Sequence, residues 1–380
     1  MIFFIMLIIF FKIINGIILT NISFDNYYDN KRQKKAILRD ESKIWREKEI
    51  QYYVHPALDH TLIKVALSRI SKETCFFFRY ETRYKNSLFV YLPGKYYETN
   101  LGRGREIPHK IFVPKYLQDI GKVIRETMRA LGIEYEHNRP DRNMFVVIFF
   151  DSIKPDFLEY FKKKSFDETR TYGIEYNYRS IMHFSPHEYS KRFRKALFSK
   201  DRLMESSIGL SKYLTFGDAK LLNKKYCSFP QIFYPNCFNR GYQHPRSPNT
   251  CKCLPFFIGN RCEGIMQNGH SCSQNNFYTV RPQESITYLN VGGKCFYLIR
   301  SNSGKKIKIK IKFFNVDPYY NIKCTVGNSV EIRIKSLFVD GILFCPSRGQ
   351  LDFISTRDMV AIISNFPPSN IQLKVTYSEA

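Results

Sequence analysis

The chemical question is set by three residues on one helix. Residues 115–131, KYLQDIGKVIRETMRAL, place Leu117, Ile120, Ile124, Met128 and Leu131 on one face, with Gly132 as a stop, and the same segment carries Arg125, Glu126 and Arg129. A positioned glutamate can act as a general base. A guanidinium is always protonated, offers five N–H donors and has no lone pair for a metal. Arg125 and Arg129 therefore either neutralise a carboxylate such as Glu126 or extend to solvent from an open cleft, and the sequence leaves both readings open. A second pattern lies at 305–313, KKIKIKIKF. There Ile307, Ile309, Ile311 and Phe313 alternate with Lys306, Lys308, Lys310 and Lys312, so an extended strand would put four lysines in a row roughly 20 Å long. Such a row suits a linear polyanion, or it is the solvated face of a half-buried strand whose lysines guard an edge.

The chain must be able to position these groups. Its 380 residues, 44% hydrophobic, suffice for two or three small cores. Lysine and arginine (59) exceed aspartate and glutamate (34), leaving +25 and favouring acidic partners. Nine of the ten cysteines lie between Cys227 and Cys345, with Cys75 alone upstream, a clustering that suggests disulfide-bearing modules. Residues 1–20 are apolar apart from Lys12 and a few polar groups and are followed at once by polar sequence. They read as a signal peptide, with a retained anchor as the alternative. A secreted chain with an even cysteine count points to five disulfides in an oxidising compartment. The basic run NKRQKKA at 30–36 is either a processing site or a solvated linker, and a sequon stands at Asn21. IQYYVHP and SLFVYLP read as strands. ALDHTLIKVALSRIS at 57–71 reads as a helix with Leu58, Leu62, Val65, Ala66 and Ile70 on one face.

Read from Arg125, the sequence RETMRALGIEYEHNRPDR resembles the zinc signature HExxHxxGxxHExxRxDR of the astacin family of metzincin metalloendopeptidases. In that signature two histidines one helical turn apart and a third beyond the glycine hold zinc, and the adjacent glutamate is the general base. Glu126, Gly132, Glu136, Arg139, Asp141 and Arg142 match. The three histidine positions carry Arg125, Arg129 and Tyr135. YNYRSIMHF at 176–184 resembles the Met-turn, with Ser180, Met182 and His183 in place and Phe184 where the family keeps a metal-reaching tyrosine. AILRDESKIW from Ala36 resembles the mature amino terminus, whose freed amino group the family buries against the residue matching Glu136. ETNLGRG at 98–104 resembles the cleft-edge segment without the disulfide usual near it, and the surroundings of Cys75 and Cys227 resemble the ends of the domain-spanning disulfide. The resemblance covers about residues 36–227.

The resemblance implies an α+β fold, a metzincin or astacin-like protease domain over 36–230 after a pro-segment at 21–35. A small EGF-like module at 231–263 and a β-sandwich CUB domain at 264–380 follow. It implies pairs Cys237–Cys251 and Cys253–Cys262 in the EGF-like module, and Cys272–Cys295 and Cys324–Cys345 in the CUB domain. Gly327 and Asn328 stand where CUB domains usually have aspartate, which weighs against calcium. Zinc is the family's cofactor, but Arg125, Arg129, Tyr135 and Phe184 are expected not to bind it. His137 and His183 match positions that do not ligate, and His109 and His187 read as surface residues. The expectation is a secreted, catalytically inactive relative that binds protein or peptide through the old cleft and anionic matrix, such as glycosaminoglycan, through its basic surface. The rival is an active zinc endopeptidase. KRFRKALFSK at 191–200 reads as a loop, and an extracellular setting argues against nucleic acid.

Overall fold

The computed structural model describes residues 34–209, 212–227, 235–316 and 329–380. The expected signal segment 1–20, the Asn21 sequon, Cys324, Gly327 and Asn328 lie outside the described residues. The first region runs β1 (Lys34–Leu38), β2 (Glu49–Val54), α1 (His60–Glu73), β3 (Phe77–Tyr80), β4 (Phe89–Gly94), β5 (Glu98–Thr99) and β6 (His109–Pro114). It continues through α2 (Ile120–Ala130), β7 (Val146–Ile148), β8 (Thr169–Tyr172), β9 (Leu197–Ser199) and α3 (Phe216–Tyr226). Five strands form a sheet in the order β3-β2-β4-β6-β5, parallel except for the antiparallel edge strand β5. Side chains of α1 and α2 share one core with this sheet, including Ile63, Ile70, Val123, Ile124 and Met128.

Capping chemistry corrects both predicted helices. In α1 the Asp59 side chain accepts from Leu62 N at 2.9 Å, so the helix starts at His60 and Leu58 precedes it. Its buried stripe is Ile63, Ala66, Leu67 and Ile70, whereas Val65 is exposed. Asp119 caps α2 by accepting from Lys122 N at 3.0 Å, which leaves Leu117 outside the helix at 97% exposure. Gly132 ends the segment with φ +90°. Its N–H reaches Arg129 O while Ile133 N reaches Met128 O.

The remaining strands are β10 (Tyr242–His244), β11 (Ser247–Lys252), β12 (Phe257–Ile258), β13 (Gly264–Ile265), β14 (Phe277–Val280), β15 (Ser285–Asn290), β16 (Lys294–Ser301) and β17 (Ile307–Phe314). They end with β18 (Val330–Arg333), β19 (Ile342–Phe344), β20 (Gln350–Ile354), β21 (Met359–Asn365) and β22 (Gln372–Glu379). Two hairpin-like pairs, β10-β11 and β12-β13, precede a five-stranded sheet, β14-β16-β21-β18-β19, and a four-stranded sheet, β15-β22-β17-β20. Inward side chains of both sheets make one core, with Ile307, Ile309 and Ile311 against residues such as Val360 and Ile362. Disulfides join Cys75 to Cys227, Cys237 to Cys251, Cys253 to Cys262 and Cys272 to Cys295. Cys345 is also disulfide-bonded.

The lysine-rich strand is not an edge. β17 lies between β22 and β20, with Lys308 in register with both Ser378 and Ile354, so edge protection is not the task of its lysines. The alternation holds: Ile307, Ile309, Ile311 and Phe313 are buried, and Lys306, Lys308 and Lys312 are exposed. Lys310 is half-buried and has Asp352 beside it at 4.0 Å, so the row is not free of acidic neighbours.

The two regions meet through polar and apolar contacts together. Val146, Tyr176, Tyr178, Leu197, Met204 and Ile208 join the core of the paired sheets. Beside them Arg179 pairs with Glu331 at 2.9 Å, Glu331 also receives Arg333 at 2.6 Å, and Asn177 donates to Asp340 at 2.6 Å. Burial alone would raise the Glu331 carboxyl, but Arg333 and Arg179 outweigh it and hold it near 2. Arg179→Ala removes one of these two partners and is expected to destabilise the folded chain by about 3 kcal/mol, measured by denaturant unfolding. Arg179→Lys, which keeps the charge but not the fork, should lose less.

Candidate functional site

α2 carries the site on its inner side. Arg125 has a side chain only 5% exposed, so its charge has to be answered inside the protein. The answer is Glu188, which accepts from Arg125 Nη2 at 2.5 Å and Nη1 at 3.1 Å in a fork-to-fork pair. Arg125 Nε also approaches Glu126 Oε1 at 3.4 Å. One turn on, Arg129 Nη1 donates to Glu134 Oε1 at 2.6 Å and Nε to the Thr99 carbonyl at 3.3 Å. Neither arginine extends to solvent. The reading of an open cleft with two free guanidinium groups is corrected, because burial makes an unpaired cation far more costly than these pairs.

Glu126 is fully buried. Tyr135 Oη donates to its two oxygens at 3.3 and 3.1 Å. Burial raises the Glu126 carboxyl above the usual range, and the neighbouring Arg125 and Arg129 offset part of that rise. Burial, and then the Glu126 charge, push the Tyr135 hydroxyl well above its ordinary value, so it keeps its proton and acts as donor. Around this group Tyr135 and Phe184 have ring centroids 4.4 Å apart. The Arg129 guanidinium lies 4.3 Å from the Tyr135 ring and that of Arg125 lies 4.7 Å from Phe184. Tyr135 and Phe184 are 1% and 0% exposed. The space around Glu126 is thus occupied by side chains, and its carboxyl has no exposed surface from which to meet bulk water.

The neighbouring sheet edge is engaged by Arg129 together with Tyr189. β5 is an edge strand, and edge carbonyls ordinarily offer a template for an added strand. Here Tyr189 Oη donates to the Tyr97 carbonyl at 3.0 Å and Arg129 Nε occupies that of Thr99. His109, expected on the surface, is 3% exposed on β6 and shares a 2.9 Å hydrogen bond with Thr99 Oγ1, and burial lowers its pKa to about 4. His187 is exposed, as expected.

Support comes from the Met182 turn and α3. Met182 is fully buried, and its carbonyl accepts from Glu136 N at 3.0 Å. Asp218 closes a capping box with Thr215 and also accepts from Ser180 Oγ at 2.6 Å and Ile181 N at 3.0 Å, tying the turn to the helix. Glu136 accepts from Arg139 Nη1 at 3.1 Å and Asn177 N at 2.8 Å. Ala36, the expected mature terminus, lies within β1, with its carbonyl accepting from Glu134 N at 3.3 Å. The 191–200 segment contributes β9 in its second half, so it is only partly a loop.

Sequence reasoning missed Glu134, Glu188 and Asp218. A faint signal existed for Glu134, five residues after Arg129. Glu188 lies 63 residues from its partner and could be found only through the fold. As to a metal, the side chains that the resemblance aligns with zinc ligands are two paired guanidinium groups and a phenol donating to a carboxylate, with an aromatic ring at Phe184. They offer a divalent cation no ligand set, and the residues do not fit zinc.

A family model described as Astacin, a peptidase family, matches residues 37–227. Zinc metalloproteinase nas-34 of Caenorhabditis elegans is 25% identical over 337 residues, which cover 86% of this chain and 55% of that protein. Zinc metalloproteinase dpy-31 of Haemonchus contortus is 30% identical over 339 residues, 82% of this chain and 59% of that protein. The chain thus spans little more than half the length of these relatives. Among solved structures, high choriolytic enzyme 1, a hatching enzyme zinc-protease from Oryzias latipes, aligns with a TM-score of 0.42 at 21% identity, covering 49% of this chain and 96% of that one.

Burial by itself would raise Glu188, yet Arg125 and then Lys122 outweigh it and hold the carboxyl near 2, below the ordinary 4.5. A depressed carboxyl contributes stability that is fully present above pH 4.5 and is lost as pH falls toward 2. Glu188→Gln should therefore lower stability at pH 7 by about 3 kcal/mol. It should also flatten the acid limb of the unfolding profile between about pH 5 and 2, read by denaturant melts across that range.

Proposed function

Because the chain belongs to the astacin family of peptidases over residues 37–227, we propose that it is a pseudoprotease, a catalytically inactive extracellular relative of zinc metalloendopeptidases. The family is zinc-dependent. One observation carries the proposal: Glu126, the residue matching the family's general base, is buried beneath Tyr135, with Arg125 and Arg129 at two positions where the family signature has histidine. Without the cation nothing lowers the pKa of water from about 15.7 toward 7, and the buried carboxyl has no exposed surface at which to meet a solvent water. Two guanidinium groups bring the +2 that zinc would supply, and Glu134 and Glu188 hold them in position.

In this proposal the 231–263 segment is an EGF-like module and the paired sheets of 264–380 are a CUB domain. The short disulfide-bonded strand pairs support the first and the two-sheet core supports the second. The disulfides support an oxidising, extracellular compartment. Among the described residues no helix is long and apolar enough to cross a membrane. The partners are extracellular protein or peptide and anionic matrix, with Lys306, Lys308, Lys310 and Lys312 among the matrix contacts. Because Tyr189 and Arg129 already occupy edge carbonyls, peptide binding in the old cleft would rest on its rim and not on Glu126.

The purified protein is expected to hold less than one zinc per chain by elemental analysis and to cleave no general protein substrate. Stoichiometric zinc, or chelator-sensitive cleavage abolished by Glu126→Gln, would establish the active endopeptidase instead. Combining Arg125→His, Arg129→His, Tyr135→His and Phe184→Tyr should restore zinc binding, measured by calorimetry. For the matrix contacts, replacing Lys306, Lys308, Lys310 and Lys312 by serine should weaken heparin retention and leave the melting profile intact, since Ile307, Ile309 and Ile311 are untouched.

A further inference from the structure

Lys154, Lys191, Arg192 and Arg194, with Asp151, line a surface hollow of about 410 Å³ on the protease-like region. Asp151 is the only carboxylate in that lining, so four cations face one anion. Among the described residues no ion pair within 4.0 Å engages Lys154, Arg192 or Arg194, and Lys191 Nζ donates to the backbone carbonyl of Asp151 at 3.1 Å. Other arginines of this region are satisfied internally, Arg125 by Glu188 and Arg139 by Asp141 among them. The cations of the hollow are left for something outside.

The backbone presents them in a defined arrangement. Ile153 bridges Ser190 and Lys154 N bonds Tyr189 O at 3.0 Å, which clamps the two lining segments side by side. Arg192 and Phe193 both take left-handed backbone conformations, φ 48° and 56°, which residues with side chains adopt at a cost. His187 Nδ1 meets the Phe193 carbonyl at 3.0 Å and Arg194 N closes on Lys191 O at 3.0 Å, holding that turn. Phe193 projects from it at 92% exposure, an apolar ring between cations.

We infer that this hollow binds a sulfate group of a sulfated polysaccharide, with the sugar chain running past Phe193. The inference rests on the anionic-matrix reading above and gives it a site. A concave cluster of like charges focuses its field more than a flat row does, and arginine forks match the oxygens of a tetrahedral oxyanion. The lysine row on β17 is the rival matrix site, but it is flat and has Asp352 beside Lys310.

The test uses the full chain and a heparin oligosaccharide, with affinity measured by calorimetry between about 50 and 200 mM salt. Combining Lys154→Ser, Lys191→Ser, Arg192→Ser and Arg194→Ser should weaken binding about tenfold or more and reduce its salt slope, because counterion release scales with the cations engaged. A variant with Lys154→Arg and Lys191→Arg should bind like the parent, and chemically desulfated heparin should not compete. If the serine variant keeps a native near-ultraviolet spectrum and full affinity while the β17 lysine variant loses it, the matrix reading stands and this site falls. If the parent chain does not bind heparin at all, both fall. Hollow-dependent binding to phosphatidylserine vesicles without heparin binding would overturn the site in favour of a lipid surface.

Discussion

A buried guanidinium cannot be left alone, and the pairing of Arg125 with Glu188 is the constraint from which the protease-like region takes its shape. Two parallel hydrogen bonds fix the fork of Arg125, and that fork fixes how the 185–190 turn lies against α2. The turn in turn places Tyr189 over the Tyr97 carbonyl and Phe184 beneath the guanidinium. One charge compensation thus organises the base of the cleft, its aromatic lining and its edge. Arg129 repeats the scheme one turn later with Glu134 and Thr99.

Neutral groups finish what the charges begin. Tyr135 lies against the Arg129 guanidinium and gives the buried Glu126 carboxyl a donor when it is ionised. Asp218 serves α3 and the Met182 turn together, so the turn's position depends on a helix cap far along the chain. These contacts hold a constellation of ionisable groups in place, with Arg125, Arg129 and Tyr135 each engaged by a carboxylate.

Much of this was legible in the sequence because it is local. The 3.6-residue spacing of Ile120, Ile124 and Met128 and the stop at Gly132 describe a helix within a few residues, and the Lys-Ile alternation describes β17 with its core face. The family signature was legible through Glu126, Gly132 and Arg139 despite the changed positions. What failed was set by distant partners or by single side-chain caps. Asp59 and Asp119 set the helix starts, and Leu117, whose spacing predicts a place on the helix's apolar face, lies outside the cap. His109 was placed on the surface because nothing in its neighbours announces Thr99 on the adjacent strand. The fate of the arginines was undecidable, since the carboxylate that captures Arg125 arrives only when the chain returns 63 residues later.

The paired acids also tie the residues of the site to one another. A single exchange of Arg125 for histidine would leave Glu188 with Lys122 at its rim and the Ser185 N–H, and a single exchange at Arg129 would take the guanidinium from Glu134 and leave it the Tyr135 N–H and the Asn138 amide. Each single exchange therefore passes through a less stable protein, in which a buried acid is less well compensated. Such compensation works as a ratchet: arginine and acid are stable together, and neither is easily exchanged alone.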